Sequence, residues 1–203
     1  GRVIDQFGAH NRFDNTLIIF TSDNGGLATL EKERRTAPTS VLPLRAGKGW
    51  VYEGGIRVPL IIKPPNNSSA KRIDVPAVSM DFYPTILEYA RLPLKPEQHR
   101  DGISLKNIIE RKTSETHTSM VWFFPHYHGS GWTPGRALRL GPWKLVYFFE
   151  DEQYELYHLE NDPGEKIDLV NQAPEQLEHM KKLLMEWTST MKAQNPTVNI
   201  KAL

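Results

Sequence analysis

The sequence predicts an α/β fold that ends in a small antiparallel sheet packed on one amphipathic helix. Three observations carry this. Residues 16–21 and 58–62 are short apolar, largely β-branched runs bounded by turn residues, the pattern of strands buried on both faces of a parallel sheet. Residues 137–149 hold two apolar runs around Gly141-Pro142, the pattern of a hairpin. Leu177, Met180, Leu184, Trp187 and Met191 recur at steps of 3 or 4, which places them on one stripe of a helix.

The elements follow in order. Val3, Ile4 and Phe7 have helical spacing, and Gly8 is a stop signal. The strand at 16–21 runs into Ser22-Asp23-Asn24-Gly25-Gly26. Residues 27–44 are polar and read as a long surface excursion. A glycine-rich stretch, 45–57, leads into the second strand, which Pro64-Pro65 stops. Ser79-Met80-Asp81 is expected to cap a helix reaching Leu92, with Pro84 in its first turn and Phe82, Ile86, Tyr89 and Ala90 on one face. Composition shifts after Ser114. Residues 120–124 are an aromatic strand, 137–140 and 143–149 the hairpin, and 154–159 a further strand. Asn161-Asp162-Pro163-Gly164 is a turn, and the last helix starts near Pro174.

Composition excludes several classes. There are 25 Lys+Arg against 24 Asp+Glu, a net charge of +1, whereas a nucleic-acid binder carries a basic excess. The absence of cysteine removes disulfides, thiolate metal sites and a thiol nucleophile within these residues. No apolar run approaches the ~20 residues that span a bilayer. The first residues read as the inside of a helix rather than a leader, so the chain is expected to be a piece of a longer protein.

Four segments carry chemistry. Asp23-Asn24 follows a strand end, where open α/β sheets collect ligands. Their side-chain oxygens suit a hard cation such as Ca²⁺, although Asp-Asn-Gly is also ordinary turn chemistry. Lys48 stands between Gly47 and Gly49, a mobile cation whose backbone lets an anion approach. A Walker-type loop would need glycine at Leu42 and Ser or Thr at Gly49, so that class is rejected. His126 and His128 alternate on an extended segment and can face one ligand, or form a polar loop rim. Arg136 can bind an acidic group or form a salt bridge at a strand start.

Taken together, these segments resemble the formylglycine-dependent, arylsulfatase-like sulfatase family. Asn15 to Gly26 resembles its late metal-binding strand and loop. Leu44-Arg45-Ala46-Gly47-Lys48-Gly49 with Tyr52-Glu53-Gly54-Gly55-Ile56-Arg57-Val58-Pro59 resembles its next signature segment. Trp143-Lys144-Leu145-Val146, Glu155-Leu156-Tyr157-His158-Leu159 and Asp162-Pro163-Gly164-Glu165 resemble its C-terminal sheet. Order and spacing match over nearly all 203 residues.

The resemblance implies an alkaline-phosphatase-like α/β fold, present in part. Residues 1–113 would be the C-terminal part of the catalytic domain and 114–203 the C-terminal subdomain. It implies that Asp23 and Asn24 are two Ca²⁺ ligands and that Lys48 contacts the sulfate as a catalytic residue. His126, His128 and Arg136 are expected at the substrate rim. The family's nucleophile is a formylglycine made from Cys or Ser in a Cys/Ser-x-Pro-x-Arg signature. This sequence has no such segment: Trp132 stands where the nucleophile would in Trp132-Thr133-Pro134-Gly135-Arg136. The expectation is a C-terminal part that supplies half of the Ca²⁺ site and a sulfate-binding lysine, inactive alone, its partner the missing N-terminal part of the same enzyme. The substrate would be a sulfated small molecule or glycan, and the compartment periplasmic, secreted or lysosomal. A phosphoryl-transfer enzyme of the same superfamily is disfavoured by Asn24, where those members commonly place His. A non-catalytic glycan-binding module that uses Trp132, Tyr127 and the histidines His126 and His128 as a sugar platform is the alternative from another class.

Strands cut from a larger sheet leave unpaired edges, which invite association. The isolated chain is therefore expected to self-associate through residues 1–65, read by size-exclusion chromatography with light scattering. A monodisperse monomer with uniform amide-exchange protection would contradict this.

Overall fold

The computed structural model describes residues 1–29, 37–67, 69–113 and 116–197. In chain order the elements are α1 (Arg2–Ala9), β1 (Ile18–Thr21), α2 (Glu53–Ile56), β2 (Leu60–Lys63), α3 (Phe82–Tyr89), α4 (Lys106–Ile109), β3 (Ser119–Phe124), β4 (Gly135–Leu140), β5 (Trp143–Phe148), β6 (Tyr154–His158) and α5 (Pro174–Thr190). They form two compact units that interleave along the chain. One is Gly1–Thr21 with Pro59–His117; the other is Ser22–Val58 with the residues from Thr118 onward. Residues 22–58, read from sequence with the first 113, thus pack with the C-terminal sheet. Among the described residues no helix is long and apolar enough to cross a membrane.

In the first unit β1 and β2 pair antiparallel, Ile18 opposite Lys63 and Thr21 opposite Leu60. This corrects the expected parallel arrangement. A parallel pair needs a crossover, usually a helix, laid over the sheet. Here the intervening residues 22–58 belong to the other unit, and their one described helix has four residues. The expected burial on both faces is corrected as well. Phe20 and Ile61, opposite one another, are 60% and 62% exposed.

Asp81 organises the rest of this unit. It is fully buried, and its carboxylate accepts hydrogen bonds from Val78 N (2.9 Å), Ile103 N (2.9 Å) and His117 Nε2 (2.8 Å). Thr85 Oγ1 donates to Asp81 O (2.6 Å) and accepts from Leu105 N (2.8 Å). These bonds turn Pro84, Thr85 and Leu87 of α3 inward. Ile86, expected on the buried face, is therefore exposed.

The second unit is built on an antiparallel sheet in the order β3-β4-β5-β6. Successive residues of a strand point to opposite faces, and the two faces are covered differently. Leu138, Leu145 and Leu156 face Met180 and Leu184 of α5, all nearly inaccessible. Pro174 sits at the start of α5, where a missing N–H costs nothing. Met191 lies past the helix end and is exposed, so the apolar stripe stops at Trp187.

The opposite face carries Ala137, Val146 and Tyr157 against Val51, Tyr52 and Trp132. It also holds a buried charge cluster. Lys144 Nζ lies 3.0 Å from Glu53 Oε1 and 2.8 Å from Glu165 Oε1, and Glu53 N donates to Glu165 Oε2 (2.7 Å). All three residues are at most 2% exposed. Burial pushes the Glu165 carboxyl above its ordinary value, with Lys144 acting against it. Glu165 thus holds its proton more tightly folded than unfolded. Its own contribution to stability is full below about pH 4.5 and fades as pH rises through the raised folded-state value.

Removing a partner from such a cluster leaves uncompensated buried charge. Lys144→Met is expected to cost about 3–5 kcal/mol in urea unfolding. The loss should be larger at pH 8 than at pH 5, because the Glu165 carboxyl, raised by burial, takes up a proton as pH falls and leaves less uncompensated charge. Equal losses at both pH values would show that charge does not hold the cluster.

Candidate active site

Two glycine-bearing loops of the second unit meet through their backbones. Gly25 N donates to Gly55 O (2.9 Å), and Lys48 N donates to Gly26 O (2.9 Å). The approach is closest at Gly25, where a Cβ would stand 1.8 Å from Gly54 O. No side chain fits there. The contact therefore places Asp23-Asn24 and Lys48 on adjoining loops, as neither motif could show alone.

The side chains of this cluster are available. Asp23 and Lys48 are exposed, and neither charged group has a partner among the described residues. Asn24 Nδ2 donates to Gly25 O (3.0 Å), which fixes the amide and leaves Oδ1 as its open acceptor. Ala46 adopts a left-handed conformation (φ +61°), a strained state that functional loops often hold.

The Lys48 loop is clamped to the sheet from below. Arg45 stacks on the Tyr52 ring at 3.8 Å and donates to the Tyr157 hydroxyl (2.6 Å) and Glu165 O (3.1 Å). Tyr52 donates to Glu155 Oε2 (2.5 Å). Burial pushes the Tyr52 and Tyr157 phenols far above their ordinary range, with the Glu155 carboxylate adding to it, so both remain neutral donors. Lys144 and Glu53 complete the clamp. Sequence reasoning passed over these supports. The signal was Lys144, the only charged residue in the strand 143–148.

His128 joins the Lys48 loop; His126 does not touch it. Gly49, at φ +88°, leaves room for the His128 ring, whose Nδ1 lies 2.1 Å from where a Cβ would be. Trp50 Nε1 donates to Ser130 O (3.0 Å) and to Thr29 Oγ1 (3.1 Å). His126 is exposed and packs on Phe124 at a ring distance of 6.0 Å.

The structure does not bring Arg136 to this cluster. Alternating with Ala137, it points to the α5 face of the sheet. There it donates to Thr188 Oγ1 (2.5 Å) and lies over the rings of Tyr147 and Phe149. Burial lowers the guanidinium from its ordinary value.

Comparison with known proteins fits this geometry. Residues 46–194 match the family described as N-sulphoglucosamine sulphohydrolase, C-terminal. The chain belongs to the sulfatase family, as a C-terminal portion. A sulfatase of Formosa agariphila is 36% identical over 195 residues, covering 87% of this chain and 34% of that protein. The crystal structure of Ps i-CgsB in complex with k-i-k-neocarrahexaose superposes with a TM-score of 0.76 at 29% identity, covering 93% of this chain and 40% of that one. The phosphonate monoester hydrolase SpPMH of Silicibacter pomeroyi has the same fold, with a TM-score of 0.69 at 21% identity over 96% of this chain and 40% of that one. The sulfatase chain thus has the alkaline-phosphatase-like α/β fold in part, and it spans about a third of the length of the curated relatives it matches.

The loop contact makes a specific demand. Gly25→Ala is expected to part the two loops, at a cost of about 1–3 kcal/mol for overpacking, read by thermal unfolding. An unchanged melting temperature would show that the backbones are not locked at this point.

Proposed function

We propose that this chain is the C-terminal part of an enzyme that hydrolyses sulfate esters of a carbohydrate. The observation that carries the proposal is the backbone contact that sets Asp23-Asn24 beside Lys48 while both charged side chains stay available. Support for a sugar substrate comes from the family description, which names N-sulphoglucosamine, and from the saccharide bound to Ps i-CgsB.

Each residue has a role that its chemistry allows. The Lys48 ammonium, with three donors on a flexible stem, would bind the sulfuryl oxygens and stabilise the charge that grows on them. Asp23 and Asn24 would hold Ca²⁺ through hard oxygen, the donor type it prefers. Bound Ca²⁺ would supply further electrostatic stabilisation of the sulfuryl group. Among the described residues there is no cluster of three His, Cys, Asp or Glu, so two of the 6–8 oxygens that Ca²⁺ takes are accounted for here. We assign the remaining ligands and a formylglycine nucleophile to residues outside this chain. The lack of both cysteine and a Ser-x-Pro-x-Arg segment supports that assignment. His126 and His128 belong to the substrate rim. Arg136 is left out, because it serves the packing of α5.

The test is made on the enzyme that carries this chain. Lys48→Ala is expected to lower kcat/KM for an aryl sulfate by about 10²–10³ while Ca²⁺ binding by calorimetry persists. Asp23→Ala should weaken Ca²⁺ binding and turnover together. The 203-residue chain alone should show no turnover with or without Ca²⁺. Unchanged kcat/KM in Lys48→Ala would refute its role, and preference for a matched phosphate ester would favour phosphoryl transfer.

A further inference from the structure

The tip between β3 and β4 is docked on the Lys48 loop at three points. The His128 ring fills the space beside Gly49, Gly131 faces the Trp50 ring at 3.3 Å from its would-be Cβ, and Trp50 Nε1 donates to Ser130 O. The tip is closed on itself by His128 N donating to Trp132 O (3.1 Å) and Gly131 N donating to His128 O (3.0 Å). His128 is therefore held against Gly49, the residue after Lys48, on a short and braced turn.

Its protonation pattern is set by the same turn. Ser130 N lies 3.2 Å from His128 Nδ1, and Ser130 Oγ lies 2.8 Å from it. A backbone N–H can only donate, so Nδ1 must accept. The proton of the neutral ring then sits on Nε2. Nε2 makes no hydrogen bond among the described residues and is not a buried atom. A donor held by Ser130 thus stands on the tip that docks at Gly49, the residue after Lys48. With its proton on Nε2, the ring can neither ligate a metal there nor act as a base.

We propose that His128, fixed by Ser130, is a specificity-determining residue. Its Nε2–H donates to a saccharide hydroxyl or ring oxygen next to the sulfate held by Lys48. This rests on the sulfatase reading above and deepens it. A small aryl sulfate offers no such oxygen, whereas a sulfated sugar does. Ser130 is a positioning residue, because it acts through the ring.

Two measurements test the assignment. The first needs no activity. Two-bond ¹H–¹⁵N correlation spectra of the histidine-labelled chain, with His128 identified by its absence in His128→Gln, should show Nδ1 unprotonated and Nε2 protonated at neutral pH. An Nδ1–H tautomer would overturn the proposal. The second compares kcat/KM for a sulfated saccharide with that for an aryl sulfate in the enzyme that carries this chain. His128→Ala should lower the saccharide-to-aryl ratio about tenfold or more, the worth of one lost hydrogen bond to substrate. His128→Gln carries an amide N–H at the same reach, so it should recover part of that ratio. An unmoved ratio in His128→Ala, or no recovery in His128→Gln, overturns the inference alone. A wild-type enzyme inert toward every sulfate ester overturns the reading beneath it as well.

Discussion

Everything on the upper face of the C-terminal sheet depends on the pairing of Lys144 with Glu53 and Glu165. A charge removed from water must find partners inside, or the fold loses several kcal/mol. Here the cation comes from a central strand, and the anions come from the start of α2 (Glu53) and from the loop after β6 (Glu165). The cheapest arrangement for the lysine is therefore also the one that fixes where the loops lie. One face of the sheet is held by apolar side chains of α5 and tolerates small shifts in packing. The other is held by charge and hydrogen bonds, which demand particular atoms at particular distances.

That difference suits what each face carries. The α5 face has only to be covered. The opposite face has to hold Ala46 in a left-handed conformation and to keep Lys48 exposed, without a partner among the described residues. Arg45, Tyr52, Glu155 and Tyr157 form a second set of bonds beside the cluster, tying the base of the Lys48 loop to β6. The loop is bonded to the sheet through Arg45 and Tyr52, and the Lys48 side chain stands exposed.

Much of this was legible in the residues. The strands at 120–124, 137–149 and 154–159 follow from apolar and aromatic runs between turn residues, and the helix from Pro174 from a stripe at helical spacing. The Asp23-Asn24 and Lys48 segments stand out by type. Other features were not legible, for reasons that can be named. The β1–β2 pairing is antiparallel because the connection folds with the other unit, and an apolar run does not encode direction. Arg136 shares its face with Leu138 and Leu140 by parity, but parity does not say which face the helix covers. Glu53, Lys144 and Glu165 lie far apart in sequence, so only the fold reveals that they are one cluster. Ile86 and Leu87 are equally apolar, and the Thr85 hydroxyl decides which is buried.

The docking of the 128–132 tip has a consequence for how such a protein can change over generations. The contact at Gly25 admits no side chain, so drift at that glycine is fatal to the loop geometry, and the two loops can vary only in concert. The tip rests on that scaffold through Gly49, Trp50 and Ser130, while His126, Tyr127 and Gly129 stay exposed. Replacing those three leaves the glycine contacts untouched. Selection can thus rewrite the exposed part of the tip step by step, each variant inheriting an intact Lys48 loop.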